Sequence, residues 1–119
     1  MTIDHFFKKT YHKTEYNCAH FTCEVWAHLT RVDISLEMQG FLTPPDERFV
    51  HRQIRDTFQI IKNPISPCIV QGESFNEKHV GVFFDNRILH LSEDCVRFES
   101  LLSFKLNFKK VKYLKCLKK

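Results

Sequence analysis

Covalent chemistry in this chain would rest on its five cysteines, which can offer a thiolate, and its seven histidines, which can take or return the proton. The stretch Tyr16 to Leu29, YNCAHFTCEVWAHL, brings two of each together. Asn17 suits a helix N-cap, so Cys18 falls in the first helical turn, where unpaired N–H groups and the positive end of the helix dipole favour a thiolate. At about 100° per residue, Cys18, Thr22, Val25 and Leu29 share one stripe that Phe21 and Trp26 widen into an apolar face. Cys23 lies roughly 140° away and reads as a packing residue. His20, Glu24 and His28 form the opposite stripe; they could ligate a metal, but a polar outer helix face predicts the same letters, and neither a metal nor a cofactor is expected.

A base for Cys18 has to come from elsewhere in the chain. Asp85-Asn86 reads as a two-residue hairpin turn, since both residue types tolerate positive φ. That turn sets Phe84 against Arg87, Val82 against Leu89, Gly81 against His90 and His79 against Ser92, and puts His79, Gly81 and Phe83 on one face with Ile88 and His90. His79 and His90 become diagonal neighbours, within reach of one another directly or through a water. Gly81 between them leaves open space of the kind a substrate approach needs. Cys18, His79 and His90 would then supply a nucleophile, a base and a group that orients the base.

The elements that must position these residues follow from the same letters. Residues before Tyr16, with Phe6, Phe7 and Tyr11, read as a short helix or irregular lead-in packed beside the Cys18 helix. After a connection containing Gly40, Thr43 offers an N-cap with Pro44 behind it and Asp46 and Glu47 in the first turn, and Val50, Ile54, Phe58 and Ile61 continue at helical spacing until Asn63-Pro64. From Pro67 onward come CIVQG, HVGVFFD, RILHLS, VRF and KKVKYLK, five short β-rich runs. Gly72 to Lys78 reads as a loop that shapes the groove before the base. Two helices followed by antiparallel strands make an α+β domain, and residues 1–119 are expected to form it as one unit.

YNCAHFTCEVW near the start, paired with KHVGVFF and DNRILHLSE later, resembles the NlpC-type cysteine peptidases, a papain-like family acting mainly on bacterial cell-wall peptides. The resemblance runs from about Tyr11 to Phe98. It implies a papain-like fold, with N-terminal helices packed on an antiparallel sheet of about five strands. It also implies a Cys18-His79-His90 triad attacking an amide carbonyl, with the Cys18 N–H as an oxyanion donor. Asn17-Cys18-Ala19-His20 stands where cell-wall members read D-C-S-G, so Asn17 and Ala19 occupy positions that hold the substrate's amino end. Tyr11 and Tyr16 are the candidates for the family's tyrosine near the oxyanion. The N-C-x-H-F text is similar also to the lecithin:retinol acyltransferase branch, but the order of cysteine and histidine here is the unpermuted one. The implied substrate is a peptidoglycan stem peptide or another amide. The alternatives are a non-catalytic phage-tail or assembly module and a thioester-forming acyltransferase.

Composition bounds the context. Hydrophobic content of 43% with twelve Phe, and charged content of 27%, describe a folded chain rather than a disordered one. Neither a membrane-spanning run nor a secretory signal is read in the text, so synthesis in the cytoplasm is expected, with delivery to the periplasm or wall falling to a phage tail or secretion machine. Five irregularly spaced cysteines argue against a disulfide framework. The net charge of +4 owes much to Lys105, Lys109, Lys110, Lys112, Lys115, Lys118 and Lys119. The V-K-Y-L-K alternation reads as an edge strand with solvated lysines rather than a nucleic-acid surface.

Overall fold

The computed structural model describes residues 3–38, 57–74 and 77–118. A 3₁₀ helix over Asp4–Lys8 leads in, and α1 spans Cys18–Thr30. Six strands follow: β1 (Phe58–Ile61), β2 (Cys68–Ser74), β3 (Glu77–Phe84), β4 (Arg87–Leu91), β5 (Val96–Ser100) and β6 (Lys110–Cys116), with the short helix α2 (Leu101–Lys105) between the last two. They form one antiparallel sheet in the order β1-β6-β2-β3-β4-β5, an α+β architecture.

Strand alternation gives the sheet two apolar faces. Ile69, Val80, Val82, Leu89, Leu91 and Leu114 point to one side, where Ala19, Phe21, Val25 and Trp26 of α1 close over them. Phe6 from the lead-in meets Phe21 edge-on at 5.7 Å, and Ile34 and Met38 fill the region after the helix. Cys68, Val70, Phe83, Ile88 and Tyr113 point to the other side, where Phe104 of α2 and Phe108 pack on them. Cys23 is buried and packs with the α1-side core, the packing role expected of it.

The β3–β4 turn has the expected geometry. Asp85 and Asn86 take φ of 50° and 63°, and the ladder pairs Phe84 with Arg87 and Val82 with Leu89. Three expectations need correction. The helix begun at Thr43 lies mostly outside the described residues, but its last turn does not form: Phe58–Ile61 is β1, paired with β6 from Phe58↔Cys116 to Ile61↔Tyr113. Phe58 and Ile61 fit either period, and two adjacent β-branched isoleucines beside an available strand favour the sheet. Among the described residues the sheet therefore has six strands where about five were expected. The V-K-Y-L-K strand is interior, between β1 and β2, because Tyr113 and Leu114 are buried on opposite faces and need cover on both.

Candidate active site

Cys18 is the first residue of α1, and its position is set by a two-way cap. The Asn17 side chain accepts from the N–H groups of Ala19 at 2.9 Å and His20 at 3.4 Å, while the Asn17 N–H donates to His20 Nδ1 at 3.0 Å. The thiol is half-buried against the α1 side of the sheet. Burial pushes it above the ordinary cysteine range; the N–H groups of Val80, Cys18 and Ala19 oppose that, and the Glu77 carboxylate adds to it. The thiolate preference expected of a helix start is present as those N–H groups but is outweighed by desolvation.

His79 leaves β3 on the opposite side from Val80. Its ring stacks on Phe108 at 5.5 Å and 10° and on Phe104 at 6.2 Å and 29°. Its Nε2 is 2.8 Å from His90 Nδ1. Cys18 meets the Val80 N–H from the α1 side of the sheet, whereas the His79 ring packs with Phe104 and Phe108 on the other side. With Nε2 engaged by His90, Nδ1 is the other ring nitrogen of His79. Among the described residues no hydrogen bond joins Cys18 to His79. Burial, with His90 adding to it, pushes His79 down to about 3. At neutral pH Cys18 is thus a thiol and His79 a neutral imidazole, not a preformed ion pair.

Two groups behind His90 were not anticipated from the sequence. His90 is 3% exposed, and its Nε2 bonds to Glu99 on β5, whose other oxygen accepts from the Ser103 hydroxyl at 2.6 Å. Burial lowers the His90 pKa despite the Glu99 carboxylate, which works the other way. Burial alone would raise the Glu99 carboxyl, but Ser103, His90 and Arg97 together hold it below the usual range. The β4–β5 register pairs Ile88 with Glu99 and His90 with Arg97, so Glu99 shares the histidine face. Extending the hairpin alternation by one strand is the signal that would have found it.

The remaining expected residues divide. Tyr11 stands in the electrostatic neighbourhood of Cys18, Glu93 and Glu77, and burial, the largest cause, raises its pKa together with those three groups. Tyr16 is turned away: its hydroxyl donates to Glu24 at 2.7 Å and its ring stacks on His20 at 6.0 Å. Asn17 spends its side-chain oxygen on the cap, and the Ala19 methyl is fully buried in the core, so neither presents a side chain for substrate in the way their positions suggested. The open space expected at Gly81 is filled, since a Cβ there would meet His90 Cβ at 2.8 Å and the Leu89 carbonyl at 3.0 Å. Close approach of β4, not substrate access, is what requires a glycine there. Gly72 to Lys78, expected as a loop, is strand on both sides of residues 75–76, which lie outside the description, and the Phe108 ring lies on Gly72.

Among the described residues no group of three or more His, Cys, Asp or Glu side chains is arranged to hold a metal ion. No described helix is long and apolar enough to cross a membrane. Compared with protein-family models, with curated proteins and with solved structures, the chain matches none.

Proposed function

We propose that the chain is a cysteine hydrolase with a papain-like, NlpC-type fold that cleaves amide bonds, with peptidoglycan stem peptides as substrate and a phage tail or secretion machine as the means of delivery. One observation supports it above the rest: Cys18 opens a capped helix and meets the Val80 N–H, while the preceding residue, His79, is held through Nε2 by His90. In this reading the Cys18 sulfur attacks the amide carbonyl as His79 Nδ1 takes the thiol proton. The oxyanion that forms lies against the Cys18 N–H. Collapse breaks the C–N bond, the His79 proton goes to the leaving amine, and a thioester remains on Cys18. Water then attacks the thioester with His79 again as base, releasing the acid and restoring the thiol.

Turnover of purified murein fragments tests the reading. Activity that disappears in Cys18→Ala and His79→Ala is expected; activity unchanged in either removes the mechanism. The neutral resting state of thiol and imidazole favours a second reading, a non-catalytic assembly module with the same fold. That reading requires no turnover and no preferential alkylation of Cys18 over the exposed Cys95.

A further inference from the structure

The histidine pair does not end at His90. A carboxylate accepts hydrogen bonds and donates none, so the His90 nitrogen that faces Glu99 must carry the proton. A neutral imidazole has one N–H, which leaves His90 Nδ1 as an acceptor. His79 Nε2, 2.8 Å away, must then be the donor. The only proton of His79 is spent on that bond, and its Nδ1 keeps a lone pair. The opposite order, with the His90 proton on Nδ1, would put a proton on His79 Nδ1 and leave it unable to act as a base.

From this chain of donors we infer that Glu99, steadied by Ser103, is the positioning residue of the site, fixing the ring tautomers of His90 and His79 so that His79 Nδ1 is the free base. The inference rests on the cysteine-hydrolase reading of the same residues, but it is read out separately. Among the described residues the groups that face His90 are Glu99 and Arg97 from β5, His79 from β3 and the Phe104 ring of α2, which meets it edge-on at 5.0 Å. Arg97 is drawn to Asp94 at 2.9 Å. Among the described residues Glu99 is the one carboxylate bonded to the ring. Ser103 holds its other oxygen, so the carboxylate cannot swing away without breaking a second bond. Sequence position explains how one short segment does this: Glu99 is the last residue but one of β5, Ser100 ends the strand and caps α2 by accepting from the Ser103 N–H at 3.2 Å, and Ser103 and Phe104 then turn back over the histidines.

Glu99→Gln is the informative change. Ser103 donates to the amide oxygen, leaving the NH₂ group towards His90, so the whole order of protons reverses and His79 carries its proton on Nδ1. Long-range ¹H–¹⁵N NMR of histidine-labelled full chain reads this directly: Nε2–H on both rings in the wild type, and Nδ1–H on both in Glu99→Gln. With murein fragments kcat falls about 100-fold or more, as when a histidine's orienting carboxylate becomes an amide elsewhere, with KM within twofold. Glu99→Asp restores the wild-type tautomers. Tautomers that stay Nε2–H in folded Glu99→Gln overturn the inference, whatever the activity. Tautomers that reverse in a protein without any turnover uphold it and remove the hydrolase reading instead. Should Glu99→Gln not fold, Ser103→Ala serves: the pH at which acid abolishes the Nε2–H tautomers moves upward, and an unmoved midpoint overturns the inference.

Discussion

Mild acid should destabilise this protein through His79 before its carboxylates titrate. The imidazole sits against Phe104 and Phe108 and bonds to a second buried histidine, so the folded state holds it near 3 while the unfolded chain returns it to about 6.5. A depressed histidine contributes no pH-dependent loss above the unfolded value; as pH falls below 6.5 the unfolded state gains a proton that the folded state refuses, until the folded pKa is reached. Each pH unit in that window is worth about 1.4 kcal/mol for one group, so between pH 6.5 and 5.0 His79 alone removes about 2 kcal/mol. His90, also lowered, acts in the same direction. Glu99 is lowered from a usual 4.5, so its contribution holds above that value and is lost below the window. Urea unfolding at pH 7.5, 6.5, 5.5 and 5.0 measures the loss. His79→Gln removes one titrating group and leaves the other histidines in place, so its stability should fall about 2 kcal/mol less across the window. Equal losses in the two proteins would refute a neutral, desolvated His79.

Further outcomes follow from other contacts. Gly72→Ala places a Cβ 2.6 Å from Phe108 Cγ, which drives that ring off the sheet; a loss of about 1–3 kcal/mol is expected, together with a rise in the His79 pKa that imidazole NMR titration would register. Asn17→Ala removes the acceptor for two N–H groups at the start of α1 and should cost about 1 kcal/mol in thermal or urea unfolding, whereas Asn17→Asp keeps the cap. Cys23, buried and with its thiol pushed up to about 12, should resist iodoacetamide at pH 8 until the chain is unfolded, while the exposed Cys95 reacts at once, which peptide mass mapping would separate.

What the letters disclosed depended on how local the signal was. The Asn17 cap, the phase of α1 and the Asp85-Asn86 turn are each decided by a few neighbouring residues, and from them the Cys18 helix and the His79–His90 contact could be derived. Glu99 and Ser103 needed one more register, and VRFES, with three polar residues in five, is too short and too polar to announce one. Tyr11 and Tyr16 could not be separated without knowing that a β-bridge between His12 and Tyr16 folds the lead-in and turns Tyr16 towards Glu24. The failures at Phe58–Ile61 and in the lysine-bearing strand share a cause, since partners distant in sequence decided both. A glycine reads as open space in sequence, and at Gly81 and Gly72 the space was already taken by His90 and Phe108.

The place of β6 has a consequence for the order in which the molecule can assemble. β2, β3, β4 and β5 are joined to their sequence neighbours and can zip together as each is made. β1 has a partner in the described sheet only in β6, which pairs with it from Phe58↔Cys116 to Ile61↔Tyr113. On a lengthening chain β1 must therefore wait, an unpaired strand with Phe58 and its isoleucines uncovered, until the Lys110–Cys116 segment is free to slide in beside β2. Lysines are spaced along that late segment, and a chain stalled before it emerges would leave β2 with an open edge and β1 without a partner in the described sheet.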